Sequence, residues 1–234
     1  MGFSAQILLD SLSPAGARLT TMQVSFPRFV LAEFNTHRVF SRNSASSRAI
    51  PTEKLIARII EDPVYPVEWG LNQRGMSAQE VLTPEDERRA RDVWDAAMSN
   101  AIAAVREMQL YHVHKQIINR ILEPFMWHTV IVTSTEWGNF FALRCASNAQ
   151  PEIRVAAERM RDAYNASEPH RLEVGQWHLP FVQHDERTFD LQIQKKVSAA
   201  RCARVSYLTH EGKRDIEKDD TRINWKKNTF PFRK

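Results

Sequence analysis

Glycine is scarce, at 7 residues in a chain of 234. There is no Gly-x-Gly-x-x-Gly fingerprint and no glycine-rich loop closing on Gly-Lys-Ser/Thr, so a nucleotide bound here must be gripped by side chains rather than by a glycine turn. That weighs against dinucleotide-fold and phosphate-loop ATPase readings. Cysteine is scarcer still, with only Cys145 and Cys202. Two thiols fit a reducing, cytoplasmic setting without a disulfide framework. Both read as small buried apolar residues. With no Cys-x-x-Cys and no His-Glu-x-x-His, no metal site is expected. Long apolar runs are also missing, and none nears the roughly 20 residues that span a bilayer. The opening Met1-Gly-Phe-Ser-Ala-Gln6 lacks the basic start and apolar stretch of a secretory leader, and it does not fit an N-myristoylation motif. Neither charge dominates: 32 Lys and Arg stand against 28 Asp and Glu, for a net +4 that is scattered along the chain. That balance suits an anionic small molecule better than a dedicated nucleic-acid arm. A hydrophobic content of 43% suffices for one domain with a substantial core.

The densest functional signal is Thr36-His-Arg-Val-Phe-Ser-Arg-Asn-Ser-Ala-Ser-Ser-Arg48. Arg38, Arg42, Arg48, His37, Asn43 and five hydroxyl side chains crowd into this run, directly after the apolar segment 26–34. Arginine forks and hydroxyls on a rigid support grip phosphate oxygens. The bland alternative is a solvated loop.

Hydrophobic patterning gives the scaffold. Residues 3–10 and 18–26 read as strands, the second alternating as a half-buried strand should. Pro27 opens a predicted helix through Arg38. A short amphipathic helix spans 52–60, and 62–77 form an irregular loop in which Trp69 could line a site entrance. Thr83 is a predicted N-cap with Pro84 at the first helical position. The apolar stripe Val93, Trp94, Ala97, Met98, Ala101, Ile102, Val105 and Met108 is core packing, on a helix predicted to reach Leu122. Residues 127–133 form a buried strand. Helices follow over 136–144, 151–165 and 188–203, with a loop region at 167–187. His112 and His114 are two apart and cannot share a metal on one helix face. Trp177-His-Leu-Pro180 either stacks on a ligand ring or tucks onto the core. Arg154, Arg159 and Arg161 read as solvated or interfacial.

Three segments, in order, carry a resemblance. His37-Arg-Val-Phe-Ser-Arg-Asn-Ser-Ala-Ser-Ser-Arg48 resembles the signature of flavin-dependent thymidylate synthases, Arg-His-Arg, seven residues, then Ser, with Arg two beyond. Asn119-Arg-Ile-Leu-Glu-Pro124 is similar to that family's Ala-Arg-x-x-Leu-Pro, and 136–154 to its Leu-Arg followed by Ala-Gln-x-Glu-Ile-Arg. The resemblance implies an α+β (mixed α/β) fold, a single domain over 1–218 with a small sheet and long helices; the polar tail over 219–234 reads as loose. It implies a homotetramer whose active sites draw on several subunits. The implied reaction carries a one-carbon unit from methylenetetrahydrofolate to carbon 5 of dUMP, with FAD, reduced by NADPH, supplying the hydride. Carried over by position, His37, Arg38, Asn43, Ser44 and Asn139 contact the FAD. Ser46, Arg48, Arg120 and Arg144 hold the nucleotide, with Arg144 and Ser46 closest to the chemistry. An arginine at the pyrimidine stabilises charge developing on the ring. No cysteine nucleophile is required.

The pattern also departs from the family. Thr36 replaces the first signature arginine, and Asn43-Ser44 stands where the signature has Asn-Glu; Glu33 lies one helical turn upstream of His37. Ala203-Arg-Val-Ser-Tyr207 resembles a segment that precedes the signature in ordinary members, which suggests a circularly permuted, phage-like relative working in a host cytoplasm. Methylation of dUMP leads, followed by dCMP methylation or hydroxymethylation with water as final acceptor. A non-catalytic nucleotide-binding relative and a DNA contact through Arg42–Arg48 are the competing readings.

Overall fold

A computed structural model describes residues 2–75 and 78–203. Five strands form one sheet: β1 (Ser4–Leu12), β2 (Arg18–Pro27), β3 (Ser41–Ser44), β4 (Trp127–Ser134) and β5 (His170–Arg171), in the spatial order β3-β4-β2-β1-β5. β1 and β2 are an antiparallel hairpin whose turn places Gly16 at φ +82°, a conformation that suits glycine. β2 pairs antiparallel with β4 in the middle of the sheet, and β3 covers the far edge of β4. Seven α-helices complete the described residues: α1 (Leu31–Asn35), α2 (Thr52–Glu61), α3 (Pro84–Leu110), α4 (Lys115–Ile118), α5 (Gly138–Arg144), α6 (Pro151–Ala166) and α7 (Leu191–Ala203). The α+β class is as expected.

Two apolar clusters hold these elements. The first sets Met22, Val24 and Phe26 of β2 and Val130 and Val132 of β4 against Phe34, Phe40 and Phe140, with Ile153, Ala157 and Met160 of α6 closing it. The second joins Leu55, Ile56 and Ile59 of α2 to Ile102 and Val105 of α3 and to Leu122 and Phe125. No helix among the described residues is long and apolar enough to cross a membrane.

Several expectations are corrected. β2 is buried on both faces, not one: Thr20, Thr21 and Ser25 are enclosed along with the apolar residues. The helix predicted over 27–38 is a 3-10 turn, Arg28–Val30, followed by α1, which stops at Asn35. Its last carbonyls are taken by side chains, Glu33 O accepting from Thr36 Oγ1 and Asn35 O from Arg42, which also donates to His37 O and Phe40 O in the turn beyond. The polar run expected as a loop contains β3. The stripe helix ends at Leu110 rather than Leu122, because His112 adopts a left-handed φ of 58° and His114 Nδ1 caps α4 by accepting from Gln116 N at 3.2 Å. A 3-10 segment, Asn119–Phe125, then leads to β4. Val93 and Ala97, expected in the core, are exposed, Val93 at 69%, whereas Trp94, Met98 and Met108 pack inward as expected. The last helix starts at Leu191, and 167–187 holds β5 and the start of a 3-10 turn over Asp185–Thr188. The Ala203–Tyr207 motif beyond its first residue, and the tail over 219–234, lie outside the described residues.

Candidate functional site

The polar run 36–48 is anchored to the rest of the chain at three places. The first is the C-terminal end of α5. Arg144, its last residue, donates through Nε to His37 Nε2 at 2.9 Å, and through Nη2 to Thr36 Oγ1 at 3.1 Å and Glu33 O at 3.4 Å. His37 is 7% exposed, with its ring edge-on to Phe140 at 4.8 Å between centroids. Because Nε2 accepts, the imidazole is neutral, with its proton on Nδ1. Burial, and then the charges of Arg144 and Arg42, lower its pKa below the ordinary histidine value. Thr36, the departure from the signature, therefore has a local role: its hydroxyl receives the guanidinium that an arginine at this position would repel.

The second anchor is the 3-10 segment 119–125. Asn119 is fully buried and uses its whole amide: Nδ2 donates to Ser47 O and Ile50 O at 2.8 and 3.0 Å, and Oδ1 accepts from Thr52 Oγ1 at 2.8 Å. Beside it, Glu123 Oε1 accepts from Ser47 Oγ at 2.7 Å, Arg120 Nη1 at 3.3 Å and Arg28 Nη2 at 3.4 Å. The third anchor is α7, where Cys202 O accepts from Asn43 Nδ2 at 2.9 Å. Within the run itself, Arg42 is consumed as a staple; its Nε also donates to Asn35 Oδ1 at 2.6 Å.

The three sequence motifs thus converge on one segment. Arg144 meets His37 directly, and Arg120 shares the Glu123 carboxylate with Ser47, the neighbour of Ser46 and Arg48. No direct bond joins Arg48, Arg120 and Arg144 among the described residues. Arg38, Arg48 and Asn139 are exposed and form no side-chain hydrogen bond within the described residues, whereas Ser44 and Ser46 are half-buried. The Arg38, Arg48 and Asn139 side-chain donors can meet a ligand. Arg38 and Asn139 suit a phosphate-bearing flavin cofactor in this respect, while His37 Nε2 and Asn43 Nδ2 are already engaged. Asn119, Glu123 and Arg28 were not singled out from the sequence. Their signal was weak, because a buried polar residue leaves no periodic trace.

Other candidates resolve differently. Arg154 pairs with Glu68 at 2.5 Å and donates to Ser147 O at the rim of a cavity of about 350 Å³ beside the α5–α6 turn. His178 ties strands together, one ring nitrogen bonding Ser11 Oγ and the other Thr21 Oγ1, both at 2.8 Å; burial pushes its pKa to about 4. Trp177 remains 54% exposed beneath Lys195 Nζ. His128, buried in the sheet and bonded by Arg28, is pushed to about 3, by burial first and then by the Arg28 charge. Burial raises both thiols, that of Cys202 to about 11. Among the described residues no cluster of His, Cys, Asp and Glu is arranged to hold a metal.

The family model described as "Thymidylate synthase complementing protein" matches residues 10–170. The fold resembles the crystal structure of a UMP/dUMP methylase, PolB from Streptomyces cacaoi, bound with 5-Br UMP. That match has a TM-score of 0.55 and 15% identity, and covers 70% of this chain and 88% of that one. A second crystal structure of PolB, bound with 5-Br dUMP, aligns with a TM-score of 0.47 at 18% identity over 63% of this chain and 66% of that one. No curated protein matches the chain in sequence.

Proposed function

The chain belongs to the thymidylate synthase complementing protein family, and we propose that it transfers a one-carbon unit to carbon 5 of a pyrimidine deoxynucleotide, with dUMP as the leading substrate. The observation that carries this reading is the Arg144 contact. A guanidinium whose Nε and Nη2 are fixed by His37 and Thr36 keeps Nη1 free among the described residues, in a set orientation. Preorganised donors of this kind stabilise charge as it develops, at little reorganisation cost. Arg144 is placed to meet a pyrimidine oxygen as the ring gains nucleophilic character at carbon 5. Ser46, Arg48 and Arg120 lie along the neighbouring segment and suit a phosphate monoester, whose nearly two negative charges need more than one guanidinium. His37, neutral and buried, acts as a positioning group for Arg144 and holds its own proton on Nδ1.

Flavin, when bound, supplies the hydride that reduces the transferred carbon. Arg38 and Asn139, with Ser44 nearby, would hold FAD, and NADPH and methylenetetrahydrofolate would serve as co-substrates. The exposure of Arg38 and Arg48 supports a site completed between subunits, in a homotetramer. The thiols, raised by burial, take no part as nucleophiles.

One observation favours a second reading, a pyrimidine-nucleotide-binding protein without flavin chemistry: Asn43 Nδ2 and His37 Nε2 are spent on internal bonds. Reconstitution separates the two. A yellow protein that releases tritium from carbon-5-labelled dUMP, given methylenetetrahydrofolate and NADPH, supports the methylase. Release from labelled dCMP instead shifts the substrate. Protein that binds dUMP but takes up no FAD supports the second reading.

A further inference from the structure

Glu123 stands where the related motif has leucine, and β3 has Ser44 where the signature has glutamate. The carboxylate that β3 lacks is thus matched by one on the 3-10 segment that Ser47 bonds. Its surroundings show what it can do. Oε1 is saturated, accepting from Ser47 Oγ, Arg120 Nη1 and Arg28 Nη2. Oε2 takes no hydrogen bond among the described residues, and the side chain retains 20% exposure. An ionised carboxylate is acceptor-only. A carboxylate repels phosphate, so the part of a nucleotide it can receive is an N–H of the base or a hydroxyl of the sugar.

We propose that Glu123 is a nucleotide-binding residue that accepts, through Oε2, a hydrogen bond from the nucleoside end of the substrate, while the Arg120 it holds meets the phosphate end. One side chain then sets the spacing between the two ends. This inference rests on the pyrimidine-nucleotide reading above. It assigns a contact to a residue that the three motif resemblances leave without one.

Calorimetric titration of dUMP into the full-length protein, its Glu123→Leu variant and its Glu123→Gln variant tests the proposal. The leucine variant should bind at least tenfold more weakly, and glutamine, which keeps an acceptor oxygen but not the charge, should fall between. Should the leucine variant fail to fold, the glutamine variant, which preserves shape and the bond to Ser47, carries the comparison. Two analogues locate the donor: dUMP methylated at N3 lacks the base N–H, and 2′,3′-dideoxy-UMP lacks the sugar hydroxyl. Wild type should lose affinity for one of them, and Glu123→Leu should show no further loss with that same analogue. Wild-type affinity in both Glu123 variants, or equal additional losses with the analogues in variant and wild type, overturns the proposal alone. If the wild-type protein binds dCMP but not dUMP, the same variants are titrated with dCMP; absence of binding of both nucleotides overturns the pyrimidine-nucleotide reading and this inference with it.

Discussion

Asn119 illustrates how single residues shape the site. Its amide satisfies two carbonyls and a hydroxyl at a fully buried position, so its removal strands three polar groups away from water. Asn119→Ala should destabilise the fold by roughly 1–3 kcal/mol in urea unfolding, and it should loosen the Ser46–Arg48 turn it holds. The cysteines provide a contrasting case. Because burial raises both thiols, they should react slowly with alkylating reagents at neutral pH, and Cys145→Ala and Cys202→Ala should leave turnover within about twofold of wild type. At this scale the sequence was informative where motifs overlapped: the link between His37 and Arg144 follows from two segments that each carried a family pattern. It was silent on Asn119 and Glu123. Whether a polar side chain is buried among partners depends on contacts with residues distant in sequence, here Ser47, Ile50 and Thr52, and no local pattern encodes those.

Elements were legible in proportion to their local signals. Thr83, Pro84 and the acidic first turn marked the start of α3, and the structure shows Thr83 Oγ1 accepting from Asp86 N at 3.2 Å. Thr83→Ala should cost about 1 kcal/mol of stability, seen as a lower thermal midpoint with unchanged nucleotide affinity. The end of that helix was not legible, because it is set by the left-handed His112 and the His114 cap rather than by glycine or proline. β3 was missed for a related reason. Ser-Arg-Asn-Ser has little strand propensity, and it is extended because β4 offers it an open edge and Arg42 folds the preceding turn around itself. That pairing gives the polar run its rigidity, which a solvated loop would lack. The burial of both faces of β2 was likewise unreadable from alternation, since His178, more than 150 residues away in sequence, covers Thr21.

Across the whole molecule, two apolar clusters are joined through the polar segment and its anchors, so the candidate site lies between packing units rather than on either one. Folding is also linked to pH through neutral histidines in and against the sheet. His128 and His178 have pKa values lowered to about 3 and about 4 in the folded state. The unfolded chain binds their protons near the ordinary value of about 6.5. Stability from these groups is complete above that value, declines as pH falls below it, and is exhausted only as pH drops through the folded values. Urea midpoints should accordingly fall steadily from about pH 6.5 to pH 4, and a double variant His128→Asn/His178→Asn should flatten that dependence.

The most direct measurement is calorimetric binding of dUMP to the wild-type protein and to Arg144→Ala, at low and moderate salt, with circular dichroism to establish that both are folded. Removing a charge-assisted contact worth roughly 1.5–3 kcal/mol should weaken binding by about ten- to a hundredfold, with wild-type affinity falling as salt rises. Equal dUMP affinity in the two proteins, or wild-type protein that binds neither dUMP nor dCMP, would contradict the assignment of the Arg144 cluster as a pyrimidine-nucleotide site.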